Sequence, residues 1–165
     1  MKFLLSNEII SQANSLYDWQ TKTVLPNGET LGANKPGKRT KPSEIPDRRI
    51  KKLDEIIELK GKSVLELGCL EGAHTLGLLN YTNDVTAIDC RLVNVAKTLL
   101  KVSLFNKSAK VLCCNADELT VADGKFDVVF HCGVLYHLEN PVSHMKNLAD
   151  MTDCMLLDTH IVRGN

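Results

Sequence analysis

Short apolar runs recur along the chain from residue 63 onward, and stretches with helical spacing separate them. The runs are continuous rather than alternating, which is typical of strands that are covered on both faces of a sheet. They predict strands at 63–67, 85–89, 110–114, 126–131 and 154–159. Repeated strand–helix–strand order predicts an α/β architecture with a doubly wound, mostly parallel sheet.

Apolar residues spaced three and four positions apart predict the helices. We expect helices at 7–18, from Pro46 to the first of these strands, at 74–80, at 92–106 and from Pro141. The expected buried faces of the last two are Val95, Leu99 and Val102, and Val142, Met145 and Leu148. Residues 25–46 are dense in Gly, Pro, Lys and Asn, which predicts a loop or lid. We therefore divide the chain into an N-terminal helix with a flexible lid or linker (1–45) and an α/β domain (46–165).

The composition is that of one soluble domain. The chain has 165 residues and a formal net charge of zero, so its overall charge indicates no polyanionic partner. Residues 35–52 are nevertheless basic. We interpret them as a solvated segment, with a contact to nucleic acid or phosphate as the alternative. No apolar window approaches the length of a membrane span, so no membrane partner is expected.

The six cysteines lack the paired C-x-x-C spacing of a zinc site, and no metal site is predicted. Most of them follow apolar runs, which favours buried and reduced thiols. The first apolar run is also too short for a secretory signal. These features predict a cytoplasmic protein.

A strand-to-helix turn, "VLELGCLEG" at 64–72, carries the first candidate site. Gly68 permits a tight turn after the strand, and Gly72 lets the next helix pack closely. Three acids, Glu66, Asp89 and Asp117, fall at the carboxyl ends of three consecutive predicted strands. Ligands bind at that edge of a doubly wound sheet, and an acid after the second strand suits ribose hydroxyls.

The turn lacks the middle glycine of a dinucleotide fingerprint. Leu70 stands in its place and Glu71 follows, so a bulky side chain and a negative charge both disfavour a pyrophosphate. A ligand with adenosine at one end and a cationic sulfonium at the other would tolerate them. This argues against a nicotinamide-dependent oxidoreductase, the alternative on the same sheet.

The motifs resemble those of class I S-adenosylmethionine-dependent methyltransferases over roughly residues 46 to 160. They are "VLELGCLEG", "AID", "NADEL" and "FDVVFHCGVLYHLENP". The segment "GVLYHLENPVSHMKNL" is similar to tRNA wobble-uridine carboxymethyltransferases and to related uncharacterised methyltransferases. The resemblance implies a Rossmann-like methyltransferase fold and S-adenosyl-L-methionine as the cofactor.

The resemblance also implies roles for individual residues. The cofactor-binding set is Glu66, Gly68, Cys69, Gly72, Asp89, Cys90, Asp117, Glu118, Cys132 and Gly133. The turn residues would frame the methionine and ribose, Asp89 would hold the ribose hydroxyls, and Cys90 would stack near the adenine. Asp117 and Glu118 would face the adenine edge. Cys132 and Gly133 would line the methyl-transfer site.

At the acceptor side the implied catalytic residues are Tyr136 and His137. His137 is the candidate base because histidine exchanges protons near neutral pH, and shaping the loop is the equal alternative. Tyr136 donates to an acceptor oxygen or simply packs. Two further histidines are interpreted structurally, His131 as buried in its strand and His144 as lying at the surface.

Two features at the ends of the chain extend the resemblance. Related methyltransferases fold a leading segment over the cofactor, and here that segment carries Trp19. The alternative is that Trp19 only anchors the first helix to the rest of the domain. The family sheet normally has seven strands with a C-terminal hairpin, whereas this chain ends after five. We expect an exposed edge on the fifth strand, and one of three explanations for it: a longer parent protein, a homodimer that covers the edge, or a minimal fold that compensates.

We therefore expect a methyltransferase that acts on a small-molecule or sugar-like acceptor. A first alternative is a cofactor-binding fragment or module without catalysis of its own. A second is carboxymethyl or methyl transfer to tRNA, with RNA as the partner. The acceptor itself is left open by the sequence.

Overall fold

A computed structural model describes residues 6–32 and 41–161 of the chain. The helices are α1 (Asn7–Leu16), α2 (Arg48–Ile57), α3 (Ala73–Leu78), α4 (Leu92–Leu104) and α5 (Pro141–Met151). The strands are β1 (Thr23–Val24), β2 (Thr30–Leu31), β3 (Ser63–Leu67), β4 (Asp84–Asp89), β5 (Lys110–Cys113), β6 (Val128–Cys132) and β7 (Met155–Asp158). Short 3₁₀ turns occur at Ala116–Glu118, Val121–Asp123 and Leu135–His137.

Five strands form one sheet in the order β5–β4–β3–β6–β7, and every neighbouring pair is parallel. The chain runs outward from β3 to β5 and then returns to place β6 on the other side of β3. This reversal puts the switch point between β3 and β6, where doubly wound sheets bind their ligands. The predicted fold class is confirmed.

Burial on both faces of the sheet explains the continuous apolar runs. Val64 and Phe130 belong to the core under α2 and α3, whereas Leu65 and Val129 belong to the core on the side of α5. All five residues of β6 are buried. Neighbouring residues of one strand thus point into different cores, so both must be apolar.

The predicted buried faces of α4 and α5 are partly wrong. Leu99 is 47% exposed and Val142 is 70% exposed, while Lys101 and His144 are 0% and 1% exposed. These helices bury polar side chains that have partners far along the chain. Periodicity of apolar residues alone therefore misplaces part of each buried face.

His144 corrects the expectation of a surface histidine and shows how such a polar group is buried. Its Nδ1 donates to the carbonyl oxygen of Ala116 at 2.9 Å, and its Nε2 lies 3.1 Å from Nε2 of His131. His131 is buried, as expected, and burial lowers its pKa to about 4. The pair is therefore neutral, with His131 donating to His144.

The N-terminal segment (6–32) packs on α4 through a core of its own. Trp19 is 3% exposed, joins Ile10, Leu31 and Leu104 in that core, and donates from Nε1 to the oxygen of Ala13 at 3.0 Å. The short antiparallel hairpin of β1 and β2 lies in this segment, and its second strand falls where a loop was predicted. Residues 33–40 of the predicted lid lie outside the described residues.

Strand β7 pairs only with β6 among the described residues, and it forms one edge of the sheet. Leu157 on this strand is 41% exposed. No helix in the described ranges is both long and apolar enough to cross a membrane.

Candidate active site

A cavity of about 810 Å³ opens at the carboxyl edge of the sheet. The loops after β3, β4, β5 and β6 form its walls, and Thr21 from the N-terminal segment contributes on one side. The volume lies in the range of about 300–1,000 Å³ that is usual for small-molecule sites. The cavity therefore sits where the strand order predicts a ligand.

Most of the predicted site residues line this cavity. They are Gly68, Cys69, Asp89, Cys90, Asp117, Cys132, Gly133, Tyr136 and His137. Three others do not line it. Glu66 is buried beneath the turn, Gly72 packs against α4, and Glu118 is exposed, where it accepts a hydrogen bond from Asn115 Nδ2 at 3.1 Å.

The turn after β3 is fixed to the neighbouring strand by its backbone. The amides of Gly68 and Cys69 both donate to the carbonyl oxygen of Ile88, each at 2.9 Å. Gly68 has a φ of +73°, and a Cβ there would lie 2.4 Å from Val134 Cγ2. Any other residue would therefore meet both backbone strain and a clash.

Gly72 packs closely against α4, whereas the next helix along the chain, α3, was the one expected. A Cβ at Gly72 would lie 2.9 Å from Cγ2 and 3.2 Å from Cα of Thr98. Thr98 also donates from Oγ1 to the Cys69 sulfur at 3.3 Å. The turn is thus held by β4 on one side and by α4 on the other.

Asp89 ends β4 with its carboxylate 8% exposed at the cavity wall. Its Oδ2 accepts from the Leu70 amide at 3.0 Å, and its Oδ1 accepts from the Arg91 amide and Asn94 Nδ2 at 2.9 and 3.0 Å. A carboxylate has about four acceptor positions. Three are used within the described residues, so roughly one remains for a ligand hydroxyl.

Asp117 presents a buried oxygen that lacks a donor. Its Oδ2 accepts from the Glu139 amide at 3.1 Å, while Oδ1 has no hydrogen-bond partner in the described parts of the chain. A buried carboxylate oxygen without a donor costs free energy. A ligand group that donates a hydrogen bond, such as an amine, would remove that cost.

Glu66 lies 1% exposed under the same turn. Burial raises the pKa of its carboxyl to about 7, and the nearby Asp89 charge adds to this effect. Thr75 Oγ1 donates to Oε2 at 2.5 Å, but Oε1 has no partner among the residues described. The carboxyl therefore changes between its neutral and charged forms near neutral pH.

The part of the cavity near Asp158, at the end of β7, is lined by interacting side chains that the sequence analysis did not predict as site residues. Arg49 donates to both carboxylate oxygens of Asp47, to Asp158 at the end of β7, and lies 2.9 Å from Nε2 of His74. All four line the cavity beside the predicted Tyr136. They come from three separate segments, so no spacing in the sequence could have revealed the group.

Aromatic side chains stand next to this group. The ring of Tyr136 lies 4.3 Å from that of His137 and 4.8 Å from that of His160. Tyr136 is 47% exposed. Burial raises the pKa of the Cys69 and Cys132 thiols to about 12, so both are protonated and uncharged. No group of His, Cys, Asp and Glu suited to a metal occurs within the described residues.

Glu71 does not present its charge to a ligand, contrary to the sequence argument. Its carboxylate is 1% exposed and accepts from the Gln20 amide at 2.5 Å and from the amide and hydroxyl of Thr21 at 3.0 and 2.8 Å. Lys97 pairs with it as well. The charge is taken up by the protein, so Glu71 gives no reason to exclude a pyrophosphate.

The fold and this cavity define a nucleotide-binding α/β domain of the methyltransferase type. Residues 65–153 match the family described as "Methyltransferase domain". The chain belongs to this family, and the resemblance to class I S-adenosylmethionine-dependent methyltransferases is confirmed together with the cofactor that characterises the class.

Curated relatives have two kinds of acceptor in their names. The tRNA U34 carboxymethyltransferase of Shewanella sp. (strain ANA-3) is 30% identical over 116 residues, which cover 67% of this chain and 35% of the relative. The ubiquinone biosynthesis O-methyltransferase of Coxiella burnetii (strain Dugway 5J108-111) is 31% identical over 103 residues, which cover 61% and 43%. The chain thus spans less than half the length of these relatives.

Solved structures share the fold. EvdMO1 matches with a TM-score of 0.69 and 25% identity, over 96% of this chain and 36% of that protein. Its N-terminal domain with S-adenosylhomocysteine bound matches with a TM-score of 0.65 and 24% identity, over 88% and 61%. The N-methyltransferase NodS from Bradyrhizobium japonicum WM9, also with S-adenosylhomocysteine, matches at 0.56 and 22%, over 67% and 59%.

Replacing Glu66 by glutamine should stabilise the chain at pH 8 but not at pH 5. The pKa of Glu66 is about 7 in the folded state against 4.5 for the free side chain, so the folded state binds more protons between these values. Stability therefore falls as pH rises from 4.5 to 7, by about 3 kcal/mol for the full shift. The glutamine variant does not ionise, so its free energy of unfolding does not fall in this way. Thermal unfolding of both proteins at the two pH values measures it, and an equal difference at pH 5 and pH 8 would contradict it.

Gly72→Ala should lower stability by roughly 1–3 kcal/mol, because the new methyl group meets Thr98. Gly28→Ala is the matched control, since Gly28 has a similar φ of +87° but no atom within 4 Å of the position that a Cβ would take. Urea unfolding of the two variants separates the clash from the backbone strain. Equal losses would show that the contact with α4 is unimportant.

Proposed function

We propose that this chain is the cofactor-binding and methyl-transfer domain of an S-adenosylmethionine-dependent methyltransferase with a small-molecule or sugar-like acceptor. The observation that carries the proposal is the pair of acceptor oxygens on adjacent strands. Asp89 at the end of β4 keeps about one acceptor position, and Asp117 after β5 keeps a buried oxygen without a donor.

These two oxygens suit the two ends of an adenosine. A ribose hydroxyl would donate to Asp89, and an exocyclic amine would donate to Asp117. Charge-assisted hydrogen bonds of this kind contribute roughly 1.5–3 kcal/mol each where water is excluded. Asp89 keeps room for about one hydroxyl hydrogen bond, although it was expected to hold both ribose hydroxyls.

Strand order supports a proposal for the rest of the cavity. With adenosine over β4 and β5, the methionine portion would extend over the turn after β3, toward β6. When bound, S-adenosylmethionine supplies a methyl group activated by a positively charged sulfur. Glu66 below the turn can lose its proton beside such a charge, because a neighbouring cation favours a carboxylate.

The acceptor would then enter over β6 and β7, beside Tyr136 and His137. Methyl transfer needs mainly a correct approach of the acceptor atom, with a base where that atom carries a proton. His137 is the candidate for the base, and the Tyr136 ring offers an exposed face and a hydroxyl. The carboxylates of Asp47 and Asp158 can accept hydrogen bonds from hydroxyl groups, which supports a hydroxyl-rich acceptor.

Carboxymethyl transfer to tRNA is a second candidate, favoured by the names of several relatives. Such a donor carries an extra carboxylate that needs a cationic partner. Within the described residues, Arg49 and Arg91 both line the cavity, and Asp47 and Asp158 already engage Arg49. Lys35, Lys38 and Arg39 lie outside the described residues.

The third candidate is a binding domain without turnover of its own, which the partial coverage of the relatives favours. Titrations of S-adenosylmethionine with and without candidate acceptors separate it from an active enzyme. Formation of S-adenosylhomocysteine with an acceptor supports the enzyme, whereas binding without product over the acceptor panel supports the module.

Calorimetric titration of S-adenosylhomocysteine tests the leading proposal. Wild-type chain should bind, and Asp89→Ala should bind about 10- to 100-fold more weakly because one charge-assisted hydrogen bond is lost. Asp84→Ala is the matched control, since Asp84 begins the same strand and is exposed at its other end. A nicotinamide dinucleotide should not bind. A folded wild-type chain that binds no S-adenosylhomocysteine, or an Asp89→Ala variant that binds normally, would contradict the proposal.

A further inference from the structure

We infer that Glu71, together with Lys97, is a positioning residue that couples docking of the N-terminal segment to ligand binding in the cavity. The inference rests on the proposed function in one respect, namely that the cofactor contacts the turn after β3. It assigns to Glu71 a role that no spacing or motif in the sequence indicates.

The Glu71 carboxylate has an unusually complete set of donors, and most of them belong to the N-terminal segment. Three of its hydrogen bonds come from Gln20 and Thr21, about 50 residues earlier in the chain. The fourth comes from Lys97 Nζ on α4 at 3.0 Å. If the segment leaves, the carboxylate loses three of its four hydrogen bonds, so these contacts favour docking while the turn holds its present conformation.

Two lysines of helix α4 also hold the N-terminal segment near Glu71. Lys97 Nζ also donates to the carbonyl oxygen of Asp18 at 2.6 Å, and Lys97 is only 4% exposed. The Nζ of Lys101, one helical turn along, lies 5.1 Å from the centre of the Trp19 ring. Two ammonium groups on one face of α4 therefore hold consecutive parts of the segment.

The other neighbours of Glu71 belong to the cavity. The Leu70 amide donates to Asp89, and the Cys69 amide donates to Ile88. Thr21 lines the cavity itself. The conformation of one short turn thus determines two contacts: the hydrogen bond from the Leu70 amide to Asp89, and the hydrogen bonds from the N-terminal segment to Glu71. A ligand that favours this conformation also favours docking, and docking raises the ligand's affinity by the same factor by which the ligand favours docking, because coupling between two sites is reciprocal.

Glu71→Gln tests the coupling, because glutamine keeps the shape but loses the charge and one acceptor. In the wild-type chain, S-adenosylhomocysteine should slow hydrogen exchange in peptides covering residues 17–24. In Glu71→Gln, those peptides should exchange faster without ligand. Affinity for S-adenosylhomocysteine should fall by about 5- to 150-fold, the usual range of coupling between two sites.

Glu29→Gln is the matched control, since Glu29 lies in the same segment but is exposed. It should leave both the exchange and the affinity unchanged. Thr21→Val removes a single hydrogen bond to Glu71 and should shift both quantities in the same direction by a smaller factor. This variant keeps the test decisive if Glu71→Gln does not fold.

The outcomes separate this inference from the proposed function. Faster exchange at 17–24 in Glu71→Gln with unchanged affinity would show a purely structural contact and overturn the coupling. Wild-type binding without protection of these peptides would overturn it as well, while the proposed function stands. A folded wild-type chain that binds no S-adenosylhomocysteine would overturn both.

Discussion

Two neighbouring amides that share one carbonyl oxygen fix the geometry of this domain. Gly68 and Cys69 both donate to Ile88, which ties the turn after the central strand to the end of the strand beside it. These two hydrogen bonds keep the turn from moving independently of β4. They thereby fix the positions of the next three residues, 70–72, each of which faces a different neighbour. Leu70 faces Asp89, Glu71 faces the N-terminal segment, and Gly72 faces α4. Cavity, segment and helix thus share one reference point.

The strands were predictable because burial on both faces leaves a simple record in the sequence. Four of the five residues of β6 are apolar because both faces of the strand pack into a core, and the fifth, His131, is buried against His144. The helices left a weaker record. Lys101 and His144 are buried although their side chains are polar, because each has a partner. The ammonium of Lys101 lies over the Trp19 ring, and His144 donates a hydrogen bond to the Ala116 carbonyl oxygen. Such partners lie far away along the chain, and apolar periodicity carries no information about them.

The candidate site divides along the same line. Residues at or shortly after the carboxyl end of a strand, such as Asp89 and Asp117, could be placed from the order of elements alone, because parallel strands end at one edge. The direction of a side chain could not. Glu66 and Glu71 stand in the same motif, yet one lies beneath the turn and the other points to a separate segment. Arg49 and Asp158 meet only because α2 and β7 pack near each other.

The contact between the turn and the N-terminal segment is made largely through main-chain amides. Gln20 contributes only its backbone to Glu71, and Thr21 contributes its backbone as well as its hydroxyl. Natural variation at position 20 can therefore be wide without loss of the contact, since every residue except proline carries the amide. Comparison of homologous sequences would then show a variable residue at position 20 in contact with an acid at position 71. The two positions would covary only weakly, although they are hydrogen-bonded to each other.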